Sequence, residues 1–463
     1  MFDEKTKQLY LDAIADYTHK KLVYDKMYDY CITGKTDAYR EYKHNNNRSN
    51  LKVRTNFIKK FIKEEVNYLL GNDITYTSKS GDSSIIDVLE NQTSHWSSGH
   101  DKEVYRDLET YGTVYELYYT DTLEIGDKEE ITINAKLVSP RDGYLLKDEF
   151  GKPLAFFRFF KKKFDKTKIQ YIDIYTKDYI YHCDYALNQA DNKQDLTYKT
   201  DNVTPNIFGE IPVSEAKISK YEGFDTLFNE LKDLVDAYQT NLSDIVNEIS
   251  DYRLAYLIFL GCQIDAVNKD ENGKTQLDHL KEKGAMSTGA NAKESDVKFL
   301  TKDINDTFVQ NTLTTLKDNI YEISNHINTN EKMQSNLSGS AVKNRLIGLM
   351  QIISDGESRF SDILLQRHYF IFKLYNKLNN TSYDFRDISS TFTINVPQDD
   401  LLSAQTLSQL PDGTVSKATG RKLLSFINNI DREKELVRQE QEEELSMYDV
   451  GGAYEGKQEP ETV

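Results

Sequence analysis

Gly223 to Leu260 is a run of 38 residues with helical periodicity, which as one continuous helix would reach about 57 Å at 1.5 Å per residue. Phe224, Leu227, Phe228, Leu231, Leu234, Val235, Tyr238, Leu242, Ile245, Val246, Ile249 and Tyr252 recur every three or four residues and share one face. Glu230, Asp233, Asp244, Glu248 and Asp251, with Thr240, Asn241 and Asn247 among them, fill a sector of roughly 140° on the opposite face at 100° per residue. Such a helix is too long for the inside of one globular core. Its apolar face therefore calls for a partner.

The pattern continues in kind. Asp303 to Ile327 carries Phe308, Leu316, Ile320, Ile323 and Ile327 on one stripe, with Asn305 or Asp306 as a cap. Asn328 to Gly339 (NTNEKMQSNLSG) has no apolar period, and from Ala341 to Leu378 a helical pattern resumes through Leu346, Leu349, Met350, Ile353, Phe360, Ile363, Leu364, Ile371 and Leu374. A helix, a polar excursion, a second helix, a short loop and then SGSAVKNR opening a longer helix resembles the portal proteins of tailed bacteriophages with a Gp6-like fold. Order of elements carries this resemblance, over nearly the whole chain.

The resemblance implies an α+β portal fold assembled as a ring, usually of twelve subunits, with long stem helices, an antiparallel β-rich wing, a small clip and a helical crown. Mapped by order, residues 1–222 form the wing, 223–260 the first stem helix, 261–302 the clip, 303–327 the second stem helix and 328–339 a tunnel loop. Residues 340–399 follow as a long wing helix and return strand, 400–448 as the crown, and 449–463 as a disordered tail. Its function would be the DNA channel at one capsid vertex, in packaging, head assembly, head–tail joining and DNA ejection. The implied partners are double-stranded DNA, the terminase large subunit, a scaffold protein, the major capsid protein and a head–tail connector. The implied location is the virion, after assembly in the host bacterial cytoplasm.

Within that frame Lys332, Gln334, Asn336 and Ser338 of the tunnel loop are expected to touch DNA phosphates one at a time, without reading bases. The stripe of Glu230, Asp233, Asp244, Glu248 and Asp251 is expected to line the channel and repel phosphates. Lys281, Glu282 and Lys283 of the clip are expected to dock terminase. A cytosolic scaffold or adaptor oligomer built on long amphipathic helices is the alternative, separable from a ring by its assembly.

Charge narrows the field. With 75 acids against 58 bases the chain has a net charge of −17, which disfavours a protein that coats DNA but suits a conduit along which DNA slides. No apolar run of 18 residues or charged-then-apolar leader occurs, so a protein without a membrane segment is expected. Cys31, Cys183 and Cys262 are odd in number and form no CxxC pair, which points to reduced thiols.

Ahead of the helical core, residues 4–32 read as a helix ended near Gly34, Val53 to Leu70 as a second closed by Gly71, and Ser84 to Gly112 as further helix. From Thr113 the period changes to two, through VYELYYTD, ITINAKLV, GYLLKD, LAFFRFF, IQYIDIYT and YIYHCDY, which predicts a half-exposed antiparallel sheet. Phe392 to Val396 reads as one more strand, Leu401 to Leu410 as a short helix and Thr414 to Met447 as a helical region. No enzymatic site emerges. The two GKT tripeptides at Gly34 and Gly273 have Asp29 and Asn268 where a phosphate loop needs glycine, and Asn268 to Gly273 imitates half a calcium loop with His279 at the position of the bidentate Glu. Neither a cofactor nor a metal is expected.

Overall fold

The computed structural model describes residues 2–44, 50–125, 128–164, 170–188, 193–221, 225–252, 256–260, 267–271, 273–275, 278, 296–300, 306–328, 339–394, 400–411, 413–422, 424, 427, 433–434 and 436–441. It opens with helix α1 (Glu4–Tyr28), whose N-cap Asp3 accepts the Thr6 amide at 2.9 Å. A wider π turn, Asp29–Thr33, closes at Gly34, where φ is 68°. Helices α2 (Asp37–Glu41), α3 (Phe57–Leu70), α4 (Ser84–Thr93) and α5 (His100–Tyr111) follow, with strand β1 (Thr75–Ser78) after α3.

Eight antiparallel strands then build two sheets. One has the order β3-β2-β9, from β2 (Thr113–Ile125), β3 (Lys128–Val138) and β9 (Val213–Lys217). The other runs β4-β5-β6-β7-β8, from β4 (Gly143–Lys147), β5 (Pro153–Phe160), β6 (Gln170–Tyr175), β7 (Tyr179–Asn188) and β8 (Lys193–Pro205). Alternation along β5 assigns its two faces. Ala155, Phe157 and Phe159 pack with Tyr10, Ala13, Ile14 and Tyr17 of α1, whereas Phe156 turns to Tyr115, Leu117 and Val138 of the smaller sheet. The expected half-exposed sheet is therefore corrected at its centre, because β5 and β6 are covered on both faces. The near-continuous apolar runs LAFFRFF and YIDIY are the signature of that double burial.

Helix α6 (Leu227–Tyr252) spans 26 residues, about 39 Å, and α7 (Asp306–Ile323) packs beside it. The single helix expected over 223–260 is corrected at its end. Tyr256–Leu260 forms strand β10, antiparallel to β11 (Asp296–Leu300), with Tyr256 opposite Leu300 and Leu260 opposite Asp296. An apolar run of aromatic and branched residues satisfies both periods, and here cross-strand pairing prevailed. Helix α8 (Gly339–Asn379) runs 41 residues, close to the span expected.

Three smaller differences have local causes. The region 84–112 is two helices, interrupted where the Trp96 indole donates to the Ile133 carbonyl at 3.0 Å. Residues 51–56 precede the start of α3 because their backbone is bound by α6, as detailed below. The late strand is β12 (Ile388–Thr391), paired with β1 so that Ile388 is buried; of the strand expected over 392–396, residues 392–394 are not strand and 395–396 lie outside the described residues. Residues 329–347 and 394–463 group as a second unit, in which α9 (Asp400–Gln409) and α10 (Lys417–Lys422) are described.

Candidate functional site

Helix α6 has three faces rather than two. Taken at 100° per residue, Phe228, Leu231 and Val235 lie on an apolar face and the acidic stripe lies roughly opposite, but Gln239, Ser243 and Asn247 form a polar row between them that is buried. Asn247, grouped by sequence with the acidic residues, is wholly enclosed.

Segment 51–55 is what encloses this row. The Leu51 amide donates to Asn247 Oδ1 at 2.7 Å, and Asn247 Nδ2 donates back to the Leu51 carbonyl at 2.7 Å. The Val53 amide donates to Ser243 Oγ at 3.0 Å, and Gln239 Nε2 donates to both the carbonyl and the hydroxyl of Thr55 at 3.0 Å. Two residues of an extended chain advance about 6.6 Å and four of a helix about 6.0 Å, so alternate backbone positions stay in step with every fourth side chain. The row thus does for a lone segment what a neighbouring strand would do.

The same clasp reaches the acidic side. Tyr30 Oη donates to Asp236 Oδ2 at 2.6 Å, the Ala38 amide to Asp236 Oδ1 at 3.3 Å, and Tyr42 Oη to Asp244 Oδ1 at 2.7 Å. Of the expected channel stripe, Glu230, Asp233 and Asp244 are exposed and Glu248 is half-buried. Asp233 faces Lys232 at 3.6 Å. Asp251 lies on the last turn of α6, with its side chain outside the described residues. Lys281, Glu282 and Lys283, and Lys332, Gln334, Asn336 and Ser338, also lie outside the described residues, as does Cys262, while Cys31 and Cys183 are buried free thiols.

Just ahead of the expected tunnel loop, His326 ends a buried acidic cluster. Its ring stacks on Phe61 with centroids 4.3 Å apart, its Nδ1 donates to the Ser324 carbonyl at 2.7 Å, and its Nε2 stands 3.6 Å from Glu65 Oε1. Burial holds the imidazole down at about 4, so the ring is neutral near pH 7. Burial, reinforced by the neighbouring Glu109, raises the Glu65 carboxyl well above its ordinary range, and burial lifts Glu109 to about 7. Both shifts favour the uncharged forms of Glu65 and His326, which reduces the charge buried beside Phe61.

A second buried centre locks α8 to the sheet. The Arg367 guanidinium contacts Glu116 of β2 at 2.8 Å and Asp101 of α5 at 2.7 Å, beneath the Trp96 ring at 5.4 Å. Glu116 also meets His100 Nε2 at 2.6 Å and accepts from Tyr118 Oη at 2.5 Å. Burial alone would raise the Glu116 carboxyl, but the Arg367 charge and the hydrogen bond to His100 outweigh it and hold the group at about 2. A cavity of about 440 Å³ opens beside this centre, lined by Tyr76, Trp96, His100, Asp101, Arg367 and His368. Among the described residues no group of three or more His, Cys, Asp or Glu side chains is placed to hold a metal ion.

None of these three buried networks was anticipated from sequence. The polar row had a visible signal, Gln239, Ser243 and Asn247 at intervals of four, whereas Glu116 and Arg367 are 251 positions apart and meet only through the fold.

The sequence matches the family described as phage portal protein, SPP1 Gp6-like, over residues 12–447. No match was found among curated proteins. The fold is similar to a chain in the neck of an empty gene transfer agent particle computed with C6 symmetry, at 10% identity and a TM-score of 0.48, covering 80% of this chain and 90% of that one. It is also similar to a chain of the virion of a native gene transfer agent particle, at 8% identity and a TM-score of 0.47, covering 86% and 92%.

Proposed function

The chain belongs to the SPP1 Gp6-like family of phage portal proteins, and on that footing we propose which of its elements form the channel and which meet its partners. As a portal protein it assembles into the ring at the portal vertex of a phage-like particle, and DNA passes through that ring in packaging and ejection. It acts as a channel and not as an enzyme. Helices α6 and α7 are the stem, residues 261–302 the clip that meets the terminase large subunit, and 328–339 the loop that touches DNA through Lys332, Gln334, Asn336 and Ser338. Scaffold protein, major capsid protein and the head–tail connector are the further partners, and twelve is the subunit number.

One observation carries the stem assignment. Apolar residues of the α6–α7 pair remain exposed in the single chain, with Ile249 at 55% and Phe308 at 68%, beside a clasp that buries Gln239, Ser243 and Asn247. Exposed apolar side chains on a helix pair are covered when the neighbouring subunit of the ring packs on them. The acidic stripe then turns to the bore, where repulsion of phosphates removes any deep electrostatic trap and leaves DNA free to slide.

Glu230→Lys with Asp233→Lys tests the stripe, since neither residue takes part in the Tyr42 contact. Rings of this variant should form, bind linear DNA more tightly with steeper salt dependence, and package more slowly. Parental affinity and packaging rate in the variant would place the stripe elsewhere than the bore. For the clip, replacing Lys281, Glu282 and Lys283 with Ala should weaken terminase binding to assembled rings and leave assembly intact; unchanged binding would remove this patch from the interface.

A further inference from the structure

We propose that the cavity beside Trp96 receives Phe150 from the neighbouring subunit of the ring. The inference rests on the portal assignment, because a closed ring joins its subunits head to tail, so that each interface pairs two different patches of the same chain. A projecting patch and a receiving one are both present.

Phe150 lies in the turn between β4 and β5 and is 95% exposed, with Leu154 of the same hairpin at 45%. The turn itself is fixed from within. Asp148 Oδ1 accepts the amides of Phe150 at 2.9 Å and Lys152 at 2.7 Å, the Gly151 amide donates to the Asp148 carbonyl at 2.9 Å, and the Asp148 amide donates to the Lys152 carbonyl at 2.9 Å. Gly151 has a φ of 79°, in the left-handed region that glycine adopts without strain. An exposed apolar side chain is ordinary in itself, but a phenyl ring held out by a pre-formed turn carries little ordering cost into an interface. It has the character of an anchor residue.

The cavity has the complementary form. At about 440 Å³ it falls within the roughly 300–1,000 Å³ of pockets that enclose small ligands, and Ile74, Tyr76, Leu89 and Trp96 supply apolar lining for a ring. Charge matches as well. Lys102, on the first turn of α5, lines the same cavity, and among the described residues neither it nor the exposed Glu149 next to Phe150 makes an ion pair. A carboxylate meeting this ammonium as the ring enters would set the register of the contact. The chain thus carries both halves of one head-to-tail contact, as a ring of identical subunits requires.

Mass photometry over a dilution series reads the contact. Phe150→Ala alters only an exposed side chain, so the subunit should fold, and the concentration at which half the chains are in rings should rise about 30-fold, the equivalent of about 2 kcal/mol at each interface. Glu149→Lys and Lys102→Glu should each weaken assembly, and the two together should restore it. Trp96, the only tryptophan, reports on occupancy of the cavity: acrylamide should quench it less in parental rings than in free subunits, and as fully in Phe150→Ala rings as in subunits. Half-assembly of Phe150→Ala at the parental concentration, or failure of the charge exchange to restore assembly, would overturn the contact. Trp96 shielded equally in Phe150→Ala rings would give the cavity to another occupant and overturn it too. A parental chain that forms no ring would take the portal reading and this contact together, whereas parental rings with Trp96 as quenchable as in subunits would overturn this contact alone.

Discussion

The sheet region and the paired helices α6 and α7 treat their apolar residues in opposite ways. Phe156, Phe157, Ile172 and Ile174 are completely enclosed by the chain itself, between α1 and the smaller sheet. In the helix pair, Leu231 and Val235 are buried where α6 meets the rest of the chain, but Ile249, Phe308 and Ile323 stay exposed. Burying each of the latter would contribute about 1.5–3 kcal/mol, a gain realised once per interface when neighbours meet. On the proposed reading, the sheet region folds within one subunit and the helix pair is completed by another. Substitutions should separate folding from assembly along this line.

The largest folding effect is expected from Arg367→Ala. It removes the guanidinium from the buried Glu116 carboxylate, which keeps only His100 and Tyr118, at a cost of about 3–5 kcal/mol. Trp96, the only tryptophan, lies over Arg367, so its fluorescence during urea unfolding reads this loss directly. A midpoint within error of the parent would show that the centre does not hold α8 to the sheet.

Asn247→Ala should cost less, about 1–3 kcal/mol, because it leaves the amide and carbonyl of Leu51 without their partners. The consequence is local. Hydrogen exchange should accelerate at Leu51 and Val53 and stay unchanged in β5 and β6; protection retained at Leu51 would mean that the row does not clasp the segment.

The smallest effect is one of pH. Glu109 has a folded value of about 7 against an ordinary 4.5, so its contribution to stability is complete below 4.5 and is lost as pH rises through 7. Glu109→Gln removes that loss, and the variant should gain stability over the parent between pH 5 and pH 8 in parallel thermal melts. His326 acts with the opposite sign. Its folded value of about 4 lies below the ordinary 6.5, so stability falls as pH drops from 6.5 towards 4, and His326→Asn should flatten that side of the profile. Parallel parent and variant profiles would remove the cluster as a source of pH dependence.

What could be read from the sequence was what depends on local period. The span of α8, the placement of α1 with Gly34 behind it, and the antiparallel strands from Thr113 onward follow from spacing and turn residues alone. Periodicity failed where one run serves two periods, as at Tyr256–Leu260, and where burial on both faces replaces alternation, as in β5. It also grouped Asn247 with the acidic face, since an angle around a helix does not reveal that a distant segment covers it. Long-range pairs such as Glu116 with Arg367 leave no trace in spacing.

The account turns on the claim that neighbours complete the helix pair, and mass photometry of the Ile245→Asp, Ile249→Asp double variant tests it. Both residues lie on α6 away from the buried sheet core, so the subunit should fold, with parental Trp96 fluorescence, and run at the 53.6 kDa of a single chain while the parent forms rings. A folded double variant that still forms rings at the parental yield would contradict it.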